Sequence, residues 1–179
     1  KRQEEPIETL KKLCRFTTRC ALGEYRGHIQ LVPRTVNVIT LAICEPTGPT
    51  TLPLDLFRIA SLCPAAYYSP SRFSAVQLGF HSPRARVLLY RNGKLVGTGS
   101  DGFLSCRLAL ARTLVHLREF AGVHLRMLSA NVVNSVGAVD MQTKLLCEKF
   151  AVAHSHECTY DRGSFVGMTW RPSGYPIVV

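Results

Sequence analysis

Three glycines in the stretch LLYRNGKLVGTGSDGFL, residues 88–104, are spaced as a phosphate-binding loop would require. Gly97, Gly99 and Gly102 form a G-x-G-x-x-G pattern after an apolar run and before a predicted helix. Such a loop cradles a dinucleotide where it joins a parallel strand to a helix and an acid ends the next strand. Here Asn92-Gly93 predicts an antiparallel hairpin, and Glu119 falls inside the following helix. The pattern therefore predicts no nucleotide cofactor. The glycines instead predict a strand face thin enough for a large partner to approach the backbone.

A second chemical pattern, AHSHEC, has the composition of a metal site. His154, His156 and Cys158 occupy alternate positions, so on a strand all three side chains would point to one side, as zinc ligands do. No nucleophile, base and orienting group occur together in a supporting context, and 12 acidic residues leave little for acid–base chemistry. The residues alone leave a zinc site open and do not predict an enzyme.

The composition favours a globular protein with a polyanionic partner. The 179 residues are 46% hydrophobic, and 22 Lys and Arg against 12 Asp and Glu give a net charge of +10. This balance suits nucleic acid or an acidic protein surface. Seven cysteines without a C-x-x-C spacing predict neither a disulfide framework nor a zinc ribbon. Because the sequence has no membrane-length apolar run and no signal-like start, we expect a soluble intracellular protein.

The hydrophobic pattern predicts strands and helices in a definite order. Residues 1–30 predict a basic helical extension, which a solvated helix would also explain. Next, TVNVITLAI, RFSAVQLGF, VLLY and LVGTG predict strands, while PLDLFRIASLC and FLSCRLALARTLVHLREFAG predict helices. The second helix ends at Gly122, and its helically spaced apolar residues are Leu104, Leu108, Ala111 and Val115.

A weak internal repeat divides the chain after this helix. The strand around Asn37 recurs around Asn131, 94 residues later, and the segment around Phe73 recurs around Phe165, 92 residues later. Solenoid repeats have periods of about 20–50 residues. The longer period predicts two similar halves in one pseudo-symmetric domain.

These segments resemble the TATA-binding protein family. VPRTVNVITLAI, YYSPSRFSAV, LLYRNGKLVGTGS and RLALAR are similar to its first half, and ANVVNSVGAV, HECTY and SFVGMTWRP to the start of its second half. The resemblance implies an α+β fold, a pseudo-symmetric saddle of two α/β repeats whose curved antiparallel sheet carries helices on its convex face. It implies an extension at 1–30, a first repeat at 31–124 and a second at 125–179 without its C-terminal part. The family segment matching HECTY holds no metal, so we expect neither a metal nor a cofactor.

The family's fold implies a sheet face that binds the minor groove of double-stranded promoter DNA. A few central donors suffice there, because an A·T pair displays only acceptors, while aromatic wedges kink the duplex. By resemblance, Asn37, Thr98 and Asn131 match the donors, and Phe73 and Phe165 match the first wedge of each half. The other positions assigned to DNA are apolar residues of the face and basic or aromatic residues near the wedges: Ile39, Arg72, Arg84, Leu88, Tyr90, Lys94, Val96, Val133 and Arg171. A solvated loop charge explains any single arginine equally well.

Two departures from the family bear on DNA bending. Tyr90 occupies the second wedge position of the first half, where the family has phenylalanine. A hydroxyl between base pairs must lose water or find a partner, at a cost of about 1–3 kcal/mol. Gly79 stands where the family has an arginine, which implies one phosphate contact fewer.

Two further groups match surfaces that the family offers to proteins. Asp161 keeps one acid of the loop that contacts general transcription factor B, but Gly163 and Ser164 replace an acidic and an apolar residue. That contact is therefore weak or rebuilt. A basic helix surface like the one presented to factor A and to regulators is formed by Arg107, Arg112 and Arg118, which a solvated helix face would also explain.

The resemblance implies a general transcription initiation factor in the nucleus. Such a factor bends promoter DNA and nucleates the preinitiation complex with factors A and B and with TATA-binding-protein-associated factors. The alternative, motivated by Tyr90 and Gly79, is a related module that assembles transcription factors with weak or no TATA binding. Neither alternative involves a membrane or a small-molecule substrate.

Overall fold

The structure, a computed structural model, describes residues 32, 34–141, 145–174 and 178, so the helix predicted within 1–30 lies outside the described residues. The chain divides into two compact units, Thr35–Ala138 and a second unit of Lys1–Arg34 with Val139–Val179. Each unit has its own apolar core. In the described part of the chain, no helix has both the length and the apolar character of a membrane span.

The first unit is an antiparallel sheet with two helices. Its elements in chain order are β1 (Arg34–Pro46), α1 (Leu56–Leu62), β2 (Ala66–Ser69), β3 (Phe73–His81), β4 (Arg84–Leu89), β5 (Leu95–Ser100), α2 (Phe103–Ala121) and β6 (Leu125–Ala138). The strands lie in the order β2-β3-β4-β5-β1-β6. This arrangement confirms the predicted α+β class. The predicted repeat boundary falls between α2 and β6, whereas the compact unit continues to Ala138, and the division into repeats stays a prediction.

Alternate residues of each strand point to a helix-covered face and to an opposite face, which we call the open face. On β1 the even-numbered residues from Val38 to Cys44 are buried, while the odd-numbered residues between them are only half-buried. The same alternation buries Val87 and Leu89 on β4. Burying each large aliphatic side chain of this core stabilises the fold by roughly 1.5–3 kcal/mol. The core thus lies entirely on one side of the sheet.

Both helices begin and end where the local sequence predicts. The Asp55 carboxylate caps α1 by accepting from the backbone N–H of Arg58 at 3.0 Å. Gly122 ends α2 in the left-handed conformation, with φ of 64°. The predicted apolar face of α2 is nevertheless not its core face: Leu104 is 76% exposed, and Leu108 and Val115 are exposed too. The buried stripe is instead Cys106, Ala109, Leu110, Thr113, Leu117 and Ala121.

Gly97 is required by the packing of α2 and not by a thin open face. A Cβ on Gly97 would lie 3.1 Å from the Cys106 Sγ and 3.5 Å from the Leu110 Cγ, both on α2. Gly99, by contrast, is exposed and has a φ of 78°, which side chains rarely adopt. The prediction that both glycines thin the partner-facing surface is therefore wrong for Gly97.

The second unit contains α3 (Cys147–Ala153), β7 (Cys158–Thr159) and β8 (Thr169–Trp170). Phe150 and Trp170 form its core, and their rings meet edge to face at 5.3 Å. The Glu157 carboxylate accepts from the Trp170 indole N–H at 3.0 Å and from the Ser173 backbone N–H at 2.7 Å. These bonds, chiefly those to Ser173, lower the pKa of Glu157 to about 2. A buried aromatic pair and one anchored carboxylate therefore organise this unit.

Candidate nucleic-acid interface

The centre of the open face is apolar and only half-buried. Leu88 on β4 lies opposite Val96 on β5, and Val96 lies opposite Leu41 on β1. Ile39 follows on β1 and is half-buried like these three. The structure thus places three predicted DNA-binding residues, Ile39, Leu88 and Val96, on one continuous surface. Apolar surface that folding leaves uncovered is typical of a binding face.

Polar groups next to this apolar centre are held in one orientation. The Asn37 Oδ1 accepts from the backbone N–H of Gly99 at 2.8 Å and from the Thr98 Oγ1 at 3.2 Å. Because both contacts use the oxygen, the Asn37 Nδ2 keeps its two donor hydrogens, whereas the single Thr98 hydroxyl hydrogen is donated to Asn37. Asn37 and Thr98, which are 61 positions apart, are therefore one unit whose remaining donor is the Asn37 amide nitrogen.

The two aromatic residues predicted as wedges meet at one end of the open face. Phe73 begins β3 and Tyr90 follows β4, and their ring centroids are 6.3 Å apart with an interplanar angle of 61°. Phe73 is 39% exposed. A tight turn fixes Tyr90, since its N–H donates to the Lys94 carbonyl at 3.0 Å. An edge-to-face pair of this kind is stabilising and leaves ring surface available.

The basic residues predicted beside the wedges divide between two ends of the sheet. Arg72 directly precedes Phe73, and Lys94 closes the Tyr90 turn, so both lie at the aromatic end and both are exposed. Arg84 lies opposite His81 at the other end of β4. At about 3.3 Å per residue, Arg84 is roughly 20 Å from Tyr90. The prediction that Arg84 flanks the aromatics is therefore wrong, although Arg84 is exposed.

The predicted residues of the strand that begins the second half lie on β6. Asn131 is exposed and Val133 is 57% exposed. β6 is the neighbour of β1, the strand that carries Asn37. The first unit therefore carries both predicted asparagines on adjacent strands.

The remaining predicted residues of the second half belong to the second unit. Phe165 is 62% exposed and precedes β8 in a loop, whereas its first-half counterpart Phe73 begins a strand. The Asp161 carboxylate accepts from the Gly163 N–H at 2.9 Å, and the Asp161 carbonyl accepts from the N–H groups of Ser164 and Phe165. The bonds from Gly163 and Ser164 lower the pKa of Asp161. Asp161, Gly163 and Ser164 thus form one turn, and Arg171 is exposed beyond β8.

The helix-covered side carries the predicted protein-binding arginines. Arg107, Arg112 and Arg118 are all exposed on α2, and the Arg112 guanidinium also donates to the Ser82 carbonyl. Leu104 and Leu108 are exposed on the same helix. This surface is therefore both basic and apolar.

The AHSHEC segment is not built as a metal site. His154 ends α3 and stacks on the Phe150 ring at 4.5 Å, whereas His156 follows in a turn with an exposed side chain. Among the described residues, no three His, Cys, Asp or Glu side chains are grouped so that they could hold a metal ion. The alternation that zinc ligation needed is absent because only Cys158 lies on a strand.

Arg86 is an open-face residue that the sequence analysis missed. It lies on β4 two residues before Leu88, with Gly79 and Thr98 opposite it on the flanking strands. Its guanidinium donates to the Gln77 Oε1 at 3.3 Å. The strand alternation that places Leu88 on the open face places Arg86 there too, so the period of two contained the signal.

Comparison with protein families agrees with this architecture. The family model described as "Transcription factor TFIID (or TATA-binding protein, TBP)" matches residues 42–120, which span the sheet from β1 to α2. The chain belongs to the TATA-binding protein family. This family is not one of enzymes. The matched residues include the aromatic pair and the open-face residues of β4 and β5, but not Asn37 and Ile39 on β1 or the residues of β6.

Individual relatives agree with this membership. The chain is 34% identical over 141 residues to the TATA-box-binding protein of Acanthamoeba castellanii, covering 79% of this chain and 52% of that protein. It is 30% identical to the human TATA box-binding protein-like 2, covering 79% of this chain and 39% of that protein. The chain thus spans about half the length, or less, of these relatives.

A solved structure has the same fold. The TBP of Methanococcus jannaschii superposes with a TM-score of 0.64 at 20% identity, covering 82% of this chain and 79% of that one.

Proposed function

We propose that the protein is a nuclear transcription initiation factor that binds promoter DNA in the minor groove, bends it and assembles general transcription factors. One observation carries the proposal: the Asn37 amide, held by Thr98 and Gly99, keeps its donors beside an apolar surface of Ile39, Leu88 and Val96. The floor of an A·T minor groove displays only acceptors, so a donor-bearing apolar face is complementary to it.

Two further features support bending and assembly. The Phe73 and Tyr90 rings lie together at one end of the open face, as a wedge into a base step requires. The exposed arginines of α2, on the helix-covered side of the sheet, would contact factor A, and the exposed Asp161 turn of the second unit would contact factor B. TATA-binding-protein-associated factors are expected on the same surfaces.

The test compares DNA sequences under controlled salt. The full-length protein is titrated with a TATA duplex and a scrambled duplex of equal length, over a series of salt concentrations. We expect a clear TATA preference that Phe73→Ala abolishes. Phe57→Ala is the control, because Phe57 is an exposed phenylalanine on α1, away from the open face, and is 65% exposed against 39% for Phe73. Equal affinity of the wild-type protein for both duplexes would contradict the proposal.

The second candidate is an interaction module that binds TATA DNA weakly or not at all. Tyr90 favours it, because its hydroxyl must be desolvated if the ring enters a base step. The exposed Leu104 and Leu108 beside the α2 arginines favour it as well, since they form a surface suited to protein. Tyr90→Phe separates the candidates: a DNA bender gains affinity and bend angle, measured by fluorescence energy transfer between duplex ends, whereas a pure interaction module gains neither.

A further inference from the structure

One row of residues crosses the open face beside the apolar centre. Gly79 on β3, Arg86 on β4 and Thr98 on β5 are register partners on adjacent strands. Thr98 in turn contacts Asn37 on β1. The row therefore begins at a position without a side chain, continues to a guanidinium and ends at the oriented donors.

The Arg86 guanidinium is exposed and has no counterion in the described part of the chain. Its only recorded partner there is the neutral Gln77 Oε1 at 3.3 Å, on β3. A cation without a carboxylate keeps its full charge for an anionic ligand. Gly79 gives it room on that side, since nothing lies within 4 Å of where a Cβ of Gly79 would stand.

The contact with Gln77 holds the guanidinium on the β3 side of Arg86, next to Leu88, which lies opposite Gln77. The order β3-β4-β5-β1 puts Gln77 three strand spacings, or about 14 Å, from β1, the strand that carries Asn37. An exposed guanidinium without a carboxylate partner is suited to a phosphate oxygen, the anionic acceptor that arginine binds with paired N–H donors.

We propose that Arg86 binds a backbone phosphate of the DNA and supplies, from β4, the positive charge that Gly79 does not supply from β3. This inference rests on the proposed DNA-binding function. The ligand class is a nucleic-acid phosphate, and the contact positions the duplex without reading its sequence.

The experiment measures how salt weakens DNA binding by four forms of the full-length protein. Wild type, Arg86→Gln, Arg86→Lys and Arg58→Gln are titrated with TATA and scrambled duplexes between 50 and 200 mM salt, after thermal melts establish equal folding. Arg58 is a matched control because it is an exposed arginine on α1, behind the sheet. Losing one phosphate contact lowers the slope of log K against log salt by about 0.9, which is about a threefold change over this range.

We expect Arg86→Gln to weaken both duplexes alike and to lose this part of the slope, while Arg86→Lys and Arg58→Gln keep it. The double variant Gly79→Arg with Arg86→Gln should recover the slope, because it returns a cation to the same row from β3. An unchanged slope in Arg86→Gln overturns the inference while a wild-type TATA preference still supports the function. Loss of TATA preference without loss of slope overturns it in favour of a base contact. A wild type that binds no DNA overturns both.

Discussion

Leu88 and Leu89 are consecutive leucines on β4, yet they have different surroundings. Leu89 is fully buried beneath the helices, whereas Leu88 is half-buried on the open face between Gln77 and Val96. On the helix-covered face, folding alone buries the apolar side chains. The open face has the same strands and similar side chains but keeps apolar area and oriented donors that folding does not use. The difference indicates that stability is concentrated on the helix-covered face, and it supports the proposal that the open face binds DNA.

The leucine pair gives the largest expected effect. Leu89→Ala removes a fully buried side chain and should lower the free energy of unfolding by about 2–5 kcal/mol. Leu88→Ala should cost much less stability and mainly weaken DNA binding. Urea unfolding of both variants measures the change in stability, and titration with a duplex measures the change in DNA affinity. A Leu88→Ala variant as unstable as Leu89→Ala would show that the open face also belongs to the folding core.

Asn37→Asp tests the open face without disturbing the sheet. The aspartate keeps an oxygen for the Gly99 N–H and the Thr98 hydroxyl, so folding should be preserved. It loses the amide donors and places a negative charge against DNA, which should reduce affinity by about 2 kcal/mol, or about 30-fold. Asn134→Asp, a change of equal charge at an exposed position of β6, is the control. Equal losses in the two variants would mean that net charge, and not the donor position, sets affinity.

Two glycines extend the comparison to backbone positions. Gly97 faces α2, and the 3.1 Å approach to the Cys106 Sγ leaves no room for a side chain, so Gly97→Val should cost about 1–3 kcal/mol. Gly79 has open space at its Cβ position, and Gly79→Val should change stability by no more than about 0.5 kcal/mol. Thermal melts of the two variants, each compared with wild type, measure these changes in stability. A tolerated valine at position 97 would contradict the close packing of α2 on β5.

The sequence predicted both helices of the first unit and its strands except β2 (Ala66–Ser69), because their periods, caps and the Asn92-Gly93 turn are local signals. It did not predict which stripe of α2 is buried. Both Leu104–Leu108 and Ala109–Leu110 belong to helically spaced apolar sets, and only tertiary packing selects the second. A helical period identifies the element, and not the surface against which it packs.

The resemblance supplied the candidate site as single residues, whose roles in DNA binding stay a prediction. It did not supply the contacts that depend on the pairing of strands. Asn37, Thr98, Phe73 and Tyr90 were assigned one by one, but their contacts depend on strand pairing across more than 60 positions for Asn37 and Thr98. Arg86 was missed because only the register reveals that Gly79 lies opposite it. Arg84 was misplaced for the same reason.

The helix-covered face also predicts a pH dependence that appears only above pH 9. Burial raises the pKa of the Cys44 thiol from 9.0 to about 11. Since the unfolded chain ionises first, the stability that Cys44 contributes is complete below pH 9 and is lost progressively up to about pH 11. The stability of Cys44→Ala should therefore fall less steeply with rising pH than that of wild type over this window. The measurement is the urea midpoint of each protein at pH 8, 9, 10 and 11. Parallel pH profiles for the two proteins would mean that the Cys44 thiol is open to water. That result would contradict the burial of Cys44 on the helix-covered face of β1.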